Sequence, residues 1–584
     1  MRNLLFRKTV SLFLLAVMLI SLAGLTSCGG QEPPAGLPAG PDPEEQSGPA
    51  PGTDDEPDPL PEVVFSRESV ITPEESILLE LSAPDGCTVY YTTDGSIPDA
   101  DATVYEGPIE ITGSGNNWLT PETIDAMLLE KYYKLYETPE IPDAWVIRAV
   151  AVDADGNAGE VVTHTYLPGS DLREKLGDVL ILSIASDPDG LLDYENGIMV
   201  KGKWYDEWLQ QEGSAEVVEN GEYWWIEGNY SGKGKEWERP VSVEFFDGGA
   251  TPSLSVNCGL RIHGGISRTN PHKSLRLNFK KDYGPKVLEY DLFGEKGVYK
   301  SLVLRNGGNT AQYMIYKDGW LQSLVGGMGF STQKIRPAVV FLNGEYWGVY
   351  ALNDRYDDRY IEEQFGVEDF LVVKDGELQE GENEDMVLYD ELLAFADTDL
   401  TDESNWKRFT DIMDVDGMAA YYAVEVYIAN RDFSPIKNIE LWRSLSVSDD
   451  NPYADGRWRF MLYDTEYSSN MYYQDFTRPN YDTLSDVLEN DPLFLSAFRN
   501  STFRTLFLDK LREIGSERFK PDLVAETLEE WRVRWLPLME EHNARFATLD
   551  ETMGDMTYAI NDFFANRYNL FIPIAEKIAA SFDE

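Results

Sequence analysis

Cysteine, histidine and positive charge are all scarce in this sequence. Its 584 residues include 3 cysteines and 4 histidines, none of them in a CxxC or HExxH arrangement. A zinc site built from these residue types is therefore not expected. The 49 lysines and arginines face 103 aspartates and glutamates, which gives a formal net charge of −54. A charge of this size and sign argues against nucleic acid or an anionic membrane surface as a partner.

The first 28 residues have the pattern of an export signal that ends in a lipid-attachment site. Three basic residues lie within residues 2–8, an apolar run covers residues 10–25, and the segment ends in Leu25-Thr26-Ser27-Cys28. The run is short for a retained membrane span, and small residues before a cysteine resemble the bacterial lipobox. We predict that Cys28 is lipidated and anchors an extracytoplasmic protein at the cell surface, with the lipid as its contact to the membrane. The alternative is an ordinary secretory signal peptide with a chance cysteine.

Residues 29–62 differ abruptly in composition from the rest of the chain. Proline, glycine and acidic residues dominate this segment, and it contains no lysine or arginine. Such a sequence cannot bury enough apolar surface to offset the entropy lost on ordering. We therefore predict a disordered, extended tether between the lipid and a folded body.

Residues 63–167 have the short β-rich runs and the turn residues of an all-β module. Two of these runs are Thr88-Val89-Tyr90-Tyr91-Thr92 and residues 145–152, and Asp94-Gly95 marks a turn. The segment from 89 to 98, with the closing residues 151–166, resembles the small β-sandwich at the C-terminus of chitobiases. An insert at about 118–140 has helical spacing. The module is interpreted as a non-catalytic spacer or adhesive domain that could contact cell-wall glycan.

Two smaller features of this module allow more than one interpretation. Asp153, Asp155 and Asn157 have the spacing that opens a calcium loop, but the glutamate that closes such a loop is missing, so a hairpin turn is predicted. Cys87 lies in this module and Cys258 lies beyond it. Two separate buried thiols are therefore predicted rather than a disulfide.

A glycine-bearing hairpin follows in the next segment, residues 178–472. Residues 259–268 and 273–279 read as strand, turn and strand, with Gly264 and Gly265 in the turn. Glycines allow backbone N–H groups to approach oxygen closely, and Arg268 and Lys273 could supply compensating charge. The hairpin is therefore a candidate cover for a polyphosphate, although most Gly-Gly hairpins are only hairpins. Glu345, Glu362 and Glu363 are all available as an ion-pair partner for Lys273.

Several distinctive motifs come after the hairpin in a fixed order. They are Leu304-Arg305-Asn306-Gly307-Gly308-Asn309, a helical stretch over 312–328, a hairpin at Asn343-Gly344, Asn430-Arg431-Asp432, Lys437-Asn438, and a strand that ends at Tyr463-Asp464-Thr465-Glu466. Over roughly 290 residues this succession resembles the CotH family of atypical protein kinases. The resemblance implies a kinase-like fold that binds ATP with Mg²⁺ or Mn²⁺ and phosphorylates protein hydroxyls.

The resemblance also implies roles for individual residues. Asp432 corresponds to the catalytic-loop aspartate, and Asn438, Asp464 and Glu466 correspond to metal ligands. Family members commonly carry a second aspartate where this chain has Glu466, and many carry an acid at the Asn309-Thr310 position, which lacks one here. These departures leave open a non-catalytic pseudokinase that binds glycans or partner proteins.

The last segment, residues 473–584, is helical by pattern. Apolar residues recur at helical intervals at Phe507, Leu511, Ile514, Leu523, Leu528, Trp531, Trp535, Leu536 and Leu538. Glu540, Glu541 and His542 are expected on a solvated face, with His542 structural rather than catalytic. The predicted fold class is α+β: a small all-β sandwich, then a kinase-like core whose C-terminal part is helical. The predicted partner is a protein substrate at the cell surface. No nucleic-acid partner is predicted.

Overall fold

The computed structural model describes residues 60–115, 121–127, 141–311, 313–546 and 553–583. The predictions for the signal peptide, for Cys28, for residues 29–59 of the tether and for most of the insert at 118–140 lie outside these residues. From Leu60 onward the chain forms one compact unit, and its class is α+β, as predicted. None of the described helices combines the length and the hydropathy that a membrane span requires.

The N-terminal module is built from short strands around one core. In the described residues its main sheet has the order β2-β9-β8-β5-β6, and the pairs β3-β7 and β1-β4 complete it. The predicted hairpin turn after β8 is confirmed, because Asp153 accepts hydrogen bonds from the backbone and side chain of Asn157 at 2.8 Å. Cys258 is buried, but Cys87 is only half-buried. The strands are β1 (Val64–Phe65), β2 (Val70–Ile71), β3 (Ser76–Leu79), β4 (Leu81–Ser82), β5 (Thr88–Thr92), β6 (Thr103–Val104), β7 (Ile109–Thr112), β8 (Trp145–Val152) and β9 (Val162–Leu167).

The chain then forms a closed barrel. Its strand order is β10-β11-β12-β13-β16-β18-β17, and β17 returns to pair with β10 in parallel. The predicted glycine-bearing hairpin is confirmed as β12 and β13, and the Asn343-Gly344 hairpin as β17 and β18. Both turn residues of the second hairpin have positive φ, 48° and 87°, as a tight two-residue turn requires. The strands of this region are β10 (Leu180–Ser186), β11 (Arg239–Asp247), β12 (Leu254–Ile262), β13 (Leu275–Asn278), β14 (Leu288–Asp291), β15 (Lys296–Tyr299), β16 (Ser301–Arg305), β17 (Ile335–Leu342) and β18 (Glu345–Asn353).

A buried polar seam joins the N-terminal module to the barrel. Ser69 Oγ donates to Glu244 Oε1 on β11 at 2.5 Å, and His164 Nδ1 lies 3.9 Å from the same oxygen. Thr165 Oγ1 and Ser183 Oγ are 2.7 Å apart across the same seam. Buried, hydrogen-bonded polar groups fix relative orientation, so the module is attached rigidly rather than as a loose spacer.

The seam should make stability depend on pH through Glu244. Burial raises the pKa of this carboxyl to about 7, from an ordinary value of 4.5. The folded protein therefore holds the proton to a higher pH than the unfolded chain does. Between these two pH values the free energy of unfolding should fall as pH rises, by up to about 3 kcal/mol. Burial lowers the pKa of His164, which gives an opposite slope below its ordinary value of 6.5.

Glu244→Gln should remove the Glu244 part of this slope. Urea unfolding, followed by tryptophan fluorescence at pH 5 and pH 7.5, would measure it. Glu289→Gln is the control, because Glu289 is exposed and pairs with Lys296 on the β14–β15 hairpin. Equal pH dependence in the parent and in Glu244→Gln would contradict the prediction.

The rest of this compact unit is mostly helical and contains its own antiparallel sheet; we call it the helical half. This sheet has the order β20-β19-β21-β22, formed by β19 (Phe370–Lys374), β20 (Glu377–Glu380), β21 (Glu440–Ser444) and β22 (Arg459–Met461). One helix, Val415–Ile428, runs through the centre of this half and is buried from Gly417 onward. The other helices of this half that the structure describes include Lys317–Val325, Asp358–Phe365, Met386–Leu393, Glu403–Ile412, Thr483–Asn490, Pro492–Arg499, Ser501–Glu513, Pro521–Phe546 and Met553–Ala580.

The helical prediction for the C-terminal segment is confirmed, with two corrections. Leu536 is 45% exposed, because it follows the fully buried Trp535 and so points about 100° away from it on the helix. Glu541 and His542 are buried, not solvated. Glu541 pairs with Lys175, and His542 Nδ1 accepts the Val349 N–H of the barrel at 3.1 Å. The sequence pattern does not reveal the burial of Glu541 and His542, because a helix that is covered on two sides has no single apolar face.

Candidate active site

The Asn430-Arg431-Asp432 motif lies at the C-terminal end of the central helix. Asp414 caps the start of this helix by accepting the Gly417 N–H, and Ala429 ends it in a left-handed conformation with φ of 57°. The chain then turns sharply out of the helix. Asn430 Oδ1 accepts the Asp432 N–H at 3.0 Å, which fixes the start of the loop.

The structure brings the predicted residues Asp432 and Asn438 together. Asn438 Nδ2 donates to the Asp432 carbonyl at 2.9 Å and to its carboxylate at 3.2 Å, and Lys437 pairs with the same carboxylate. Backbone hydrogen bonds in both directions between Ser434 and Lys437 close the loop between them. This tight turn accommodates the six-residue spacing. Asp432 keeps 23% of its side chain exposed, so its carboxylate is accessible.

Asp464 and Glu466 lie beside this loop, where Arg305 holds them. The Arg305 guanidinium contacts the carboxylates of Asp464, Glu466 (2.8 Å) and Asp318 (2.6 Å). Asn430 Nδ2 also reaches the Asp464 carbonyl at 3.4 Å. Asp432 and Asp464 are therefore linked through a single asparagine side chain.

The electrostatics of this cluster show an excess of buried negative charge. Burial raises the pKa of Glu466, and Asp464 and Asp318 add to the shift although Arg305 opposes it. Burial also raises the pKa of Glu425, on the central helix, to about 8. Burial lowers the pKa of Lys317 to about 7, and its ammonium donates to the carbonyls of Glu466 and Ser468 at 2.9 and 2.7 Å. Such shifts are concentrated at functional sites.

Backbone strain is concentrated in the same place. The Asp432 loop and the segment that carries Asp464 and Glu466 line what we call the cleft. Among the described non-glycine residues with positive φ, all except Asn343 of the barrel hairpin lie in or next to the segments around this cleft. A left-handed conformation costs a non-glycine residue on the order of 1 kcal/mol or more and persists where surrounding contacts enforce it. The residues are Asp375, Ala429, Asn438, Asp464, Ser469, Asn470, Tyr472 and Tyr473.

The predicted phosphate-binding residues of the glycine turn have other partners in the structure. Arg268 donates to the carbonyls of Gly264, Tyr230 and Gly232 at 2.6, 3.0 and 2.9 Å. Lys273 is fully buried, donates to the carbonyls of Arg268 and Asn270, and has a pKa lowered by burial to about 7. These two cations stabilise the turn, and their contact with a nucleotide stays a prediction.

The question of an ion-pair partner for Lys273 has a structural answer. Glu345 pairs with Arg545, and Glu362 pairs with Arg359. Within the described part of the chain no carboxylate, that of Glu363 included, lies within ion-pair distance of the Lys273 ammonium.

Gly264 and Gly265 differ in what the turn demands of them. Gly264 has φ of 99°, and a Cβ there would lie 2.6 Å from Ser267 Oγ, whereas a Cβ on Gly265 would meet nothing within 4 Å. Gly264 is thus required by the turn itself. Gly265 leaves open space above the backbone, which is what the approach of a ligand would need.

The motif at 304–309 joins the glycine turn to the acidic cluster. Asn306 Oδ1 accepts from Ser274 Oγ at 2.9 Å and from the Gly308 N–H at 3.0 Å. Gly308 packs so closely that a Cβ would lie 2.1 Å from Glu466 Oε1. The predicted glycine turn and the predicted metal ligands therefore belong to one cleft.

A group of cations that was missed from the sequence lies near His263, and one of them, Lys374, places its ammonium 3.5 Å from the centre of the Tyr463 ring, beside Asp464. Burial lowers the pKa of His263 well below its ordinary value, and Arg276, Arg355, Lys374 and Arg305 lower it further by repulsion. These residues come from different strands and loops, so only the fold brings them together. In the described structure Arg276 and Arg355 make no ion pair, which leaves their charge available to a ligand. In the sequence these cations appear only as single basic residues in or near strands, which is a weak signal for a binding site.

Arg305, Asp318 and Lys317 are the other residues that the sequence analysis did not assign. Arg305 lies in a motif already singled out, and Asp318 opens the helix that follows it. Thr465 donates to Asp318 from both its backbone (2.9 Å) and its hydroxyl (2.8 Å). Asp318 therefore positions the segment that carries Asp464 and Glu466.

The cluster suits a divalent metal in residue type but not in its present arrangement. Carboxylate and amide oxygens are the ligands that Mg²⁺ and Mn²⁺ prefer. However, the described residues contain no group of three or more acidic, histidine or cysteine side chains placed to hold a metal ion. The reason is visible in the contacts, since the guanidinium of Arg305 lies between Asp464 and Glu466. The metal role of Asn438, Asp464 and Glu466 stays a prediction.

Comparison with known proteins agrees with this geometry. Residues 260–571, more than half of the chain, match the family model described as CotH kinase protein. Residues 77–166 match the family model described as Fn3 associated. No curated protein matches the chain. The kinase match begins within β12 and ends within the last helix, so it contains every acidic and basic residue of the cleft described above.

Proposed function

Because the chain belongs to the CotH kinase protein family, we propose that it is an atypical protein kinase. In this proposal it transfers the γ-phosphate of ATP to hydroxyl groups of exported or surface proteins. One observation carries the proposal: Asp432 and Asp464 are linked through Asn430, and the cations Arg305 and Lys374 lie beside Asp464 and its neighbour Tyr463. Acids for the acceptor and cations for the phosphates are what phosphoryl transfer requires.

Asp432 is proposed to orient the acceptor hydroxyl and take its proton. The acceptor oxygen forms a bond to the γ-phosphorus while the bond to the bridging oxygen of ADP breaks. Asn438 holds the Asp432 carboxylate in place, and Lys437 balances its charge. The carboxylate is exposed enough to meet a protein substrate, and its position is fixed before the substrate arrives.

Arg276 and Arg355 are proposed to bind the phosphates of ATP, with Lys374, which also pairs with Glu440 at 2.9 Å, nearby. All three lie near His263, which precedes Gly265 and the open space above its backbone by two residues. In a protein with a net charge of −54, a local group of cations is the place where a polyphosphate anion is attracted rather than repelled. Arg268 and Lys273 would then contribute indirectly, by stabilising the glycine turn.

Asp464, Glu466 and Asn438 are the residues that would hold a divalent metal. When bound, Mg²⁺ or Mn²⁺ would neutralise phosphate charge during the transfer. The protein's own part is to hold the carboxylates of Asp464 and Glu466 together, which Arg305 does in the structure, whereas Asn438 is held by its hydrogen bonds to Asp432.

The proposed setting is the outer face of a cell membrane. It rests on the sequence pattern at Cys28 and on the acidic, lysine-free composition of residues 29–62. The substrate would be a protein at the same surface. The module over residues 63–167 would hold the kinase at a fixed orientation and could contact cell-wall glycan.

Incubation of the protein with ATP labelled in the γ-phosphate, with Mg²⁺ or Mn²⁺, tests the proposal. Label should appear in the protein itself or in an added acceptor protein, and Asp464→Ala should abolish it. Arg276→Gln should weaken nucleotide binding about tenfold or more, because a charge-assisted phosphate contact is worth about 1.5–3 kcal/mol. Arg336→Gln is the matched control, since that barrel arginine pairs with Asp247.

A second function is favoured by the surface beside the glycine turn. Trp224 and Trp225 are each 40% exposed there, and exposed tryptophans stack on sugars or on partner proteins. Absence of both label transfer and nucleotide-induced thermal stabilisation would overturn the kinase proposal. It would leave a pseudokinase that binds a glycan or a protein.

A further inference from the structure

Arg305 is the residue on which the acidic side chains of the cleft converge. It ends β16, and its guanidinium contacts Asp318 from the helix Lys317–Val325 and both Asp464 and Glu466 from the loop after β22. The end of β16, the helix that follows it and a loop about 160 residues further along the chain are thus joined at one planar cation. A guanidinium suits this role because its five N–H donors can serve several carboxylates at once.

No other described cation lies within ion-pair distance of these three carboxylates. Lys317 is close, but its ammonium is used by the carbonyls of Glu466 and Ser468. Asp318 and Glu466 have side chains that are 4% and 2% exposed, so water screens little of their repulsion, whereas Asp464 is 26% exposed toward the cleft. One guanidinium therefore faces three carboxyl groups, and Asp464, the accessible member of the set, is one of the predicted metal ligands.

We propose that Arg305 is the resident counter-ion of the predicted metal site. It holds Asp464 and Glu466 together when no metal is bound, and a divalent cation loads by taking over their charge from the guanidinium. Arg305 is then a positioning residue that keeps the two halves of the cleft joined and sets the affinity for the metal. The inference rests on the proposed function for the identity of the metal site, but not on phosphoryl transfer taking place.

Removal of the Arg305 charge should have a specific effect on stability and on metal binding. In Arg305→Gln the three carboxyl groups lose their counter-ion, and either protons or an added divalent cation must compensate the missing charge. Loss of one partner from a buried ion pair is strongly destabilising. For a chain of this size we expect the melting temperature without divalent cation to drop by about 3–5 °C.

Thermal unfolding of the full chain, with and without Mn²⁺ and with no nucleotide, tests the proposal. Mn²⁺ should restore most of the lost melting temperature of Arg305→Gln and should shift the parent much less. The affinity for Mn²⁺, measured from the electron paramagnetic resonance signal of the free ion, should rise about tenfold or more in the variant. Asp464→Asn in the Arg305→Gln background should abolish both effects.

Arg459→Gln is the matched control. Arg459 also bridges two aspartates, Asp455 at 2.7 Å and Asp414 at 3.9 Å, on the far side of the same half, and its side chain is 9% exposed. Its loss should lower stability without any specific recovery in Mn²⁺. Recovery of equal size in both variants would show general binding of cations to an acidic protein and would overturn the proposal.

Two further outcomes keep the proposal falsifiable. If Arg305→Gln does not fold, Arg305→Lys retains the charge but not the fork of donors, and its Mn²⁺ affinity should lie close to that of the parent. A tenfold increase there, or an unchanged affinity in a folded Arg305→Gln, would overturn the counter-ion role. Because no ATP is used, failure of label transfer leaves this test unaffected.

Discussion

Asp432→Asn should fold like the parent and transfer phosphate about 10²- to 10⁴-fold more slowly, the usual contribution of a general base. The amide has almost the same shape as the carboxylate, so the hydrogen bond from the Asp432 N–H to Asn430 and the closed loop up to Asn438 are retained. What is lost is the carboxylate that we propose orients the acceptor hydroxyl and takes its proton. Rates of γ-phosphate transfer to an acceptor protein would measure the effect, and nucleotide affinity should change less than tenfold.

Asp455→Asn is the control for this experiment. Asp455 has 27% of its side chain exposed, against 23% for Asp432, and it also pairs with a neighbouring cation, Arg459. It lies away from the cleft, so its replacement should leave the transfer rate within about twofold of the parent. A rate in Asp432→Asn that equals the Asp455→Asn rate would remove Asp432 from the mechanism.

Arg567→Met should be the most destabilising single substitution outside the cleft. Arg567 lies on the last helix, is fully buried, and donates to Tyr427, Val426, Pro479 and Tyr481 carbonyls and to the Thr483 hydroxyl, at 2.6 to 3.1 Å. Methionine fills a similar volume but removes all five hydrogen bonds, and only some of the acceptors, such as the Val426 carbonyl with the Thr483 hydroxyl, keep another donor. We expect a loss on the order of 4 kcal/mol in the free energy of unfolding.

The effect should reach the active site, since Val426 and Tyr427 belong to the last turn of the central helix, just before Asn430. Urea unfolding gives the stability, and hydrogen exchange at residues 426–432 would show the loosening. Arg532→Met is the control, because Arg532 makes an exposed pair with Glu529 one helix earlier. That pair is worth about 0–1 kcal/mol. A similar loss in both variants would mean that the buried hydrogen bonds contribute little.

Local features of the fold were predictable from the sequence. The Asn343-Gly344 hairpin follows from two residues that tolerate positive φ between β-rich runs. The C-terminal helices follow from apolar spacing, because burial of one face leaves a period in the sequence. The order of the motifs from Gly264 to Glu466 placed the chain in its family without any knowledge of contacts.

The roles of individual side chains were less predictable. Lys273 was a reasonable phosphate ligand by residue type, but the fold buries it and directs its ammonium to two carbonyls. Glu541 and His542 looked like residues of a solvated face until the helix was found packed against the barrel. In each case the neighbour that decides the role comes from a distant part of the chain.

The sequence by itself determined the motif order, the family, the hairpins and the chemical type of each candidate side chain. Those properties depend on residue identity and on neighbours within a few positions. Only the tertiary structure decided that Arg305 lies on Asp464 and Glu466, which are 159 and 161 residues away. It also decided that Arg276, Arg355 and Lys374 come close enough to His263 to lower its pKa. Interactions between charges depend on distance and burial, and both are fixed only when the barrel closes over the helical half.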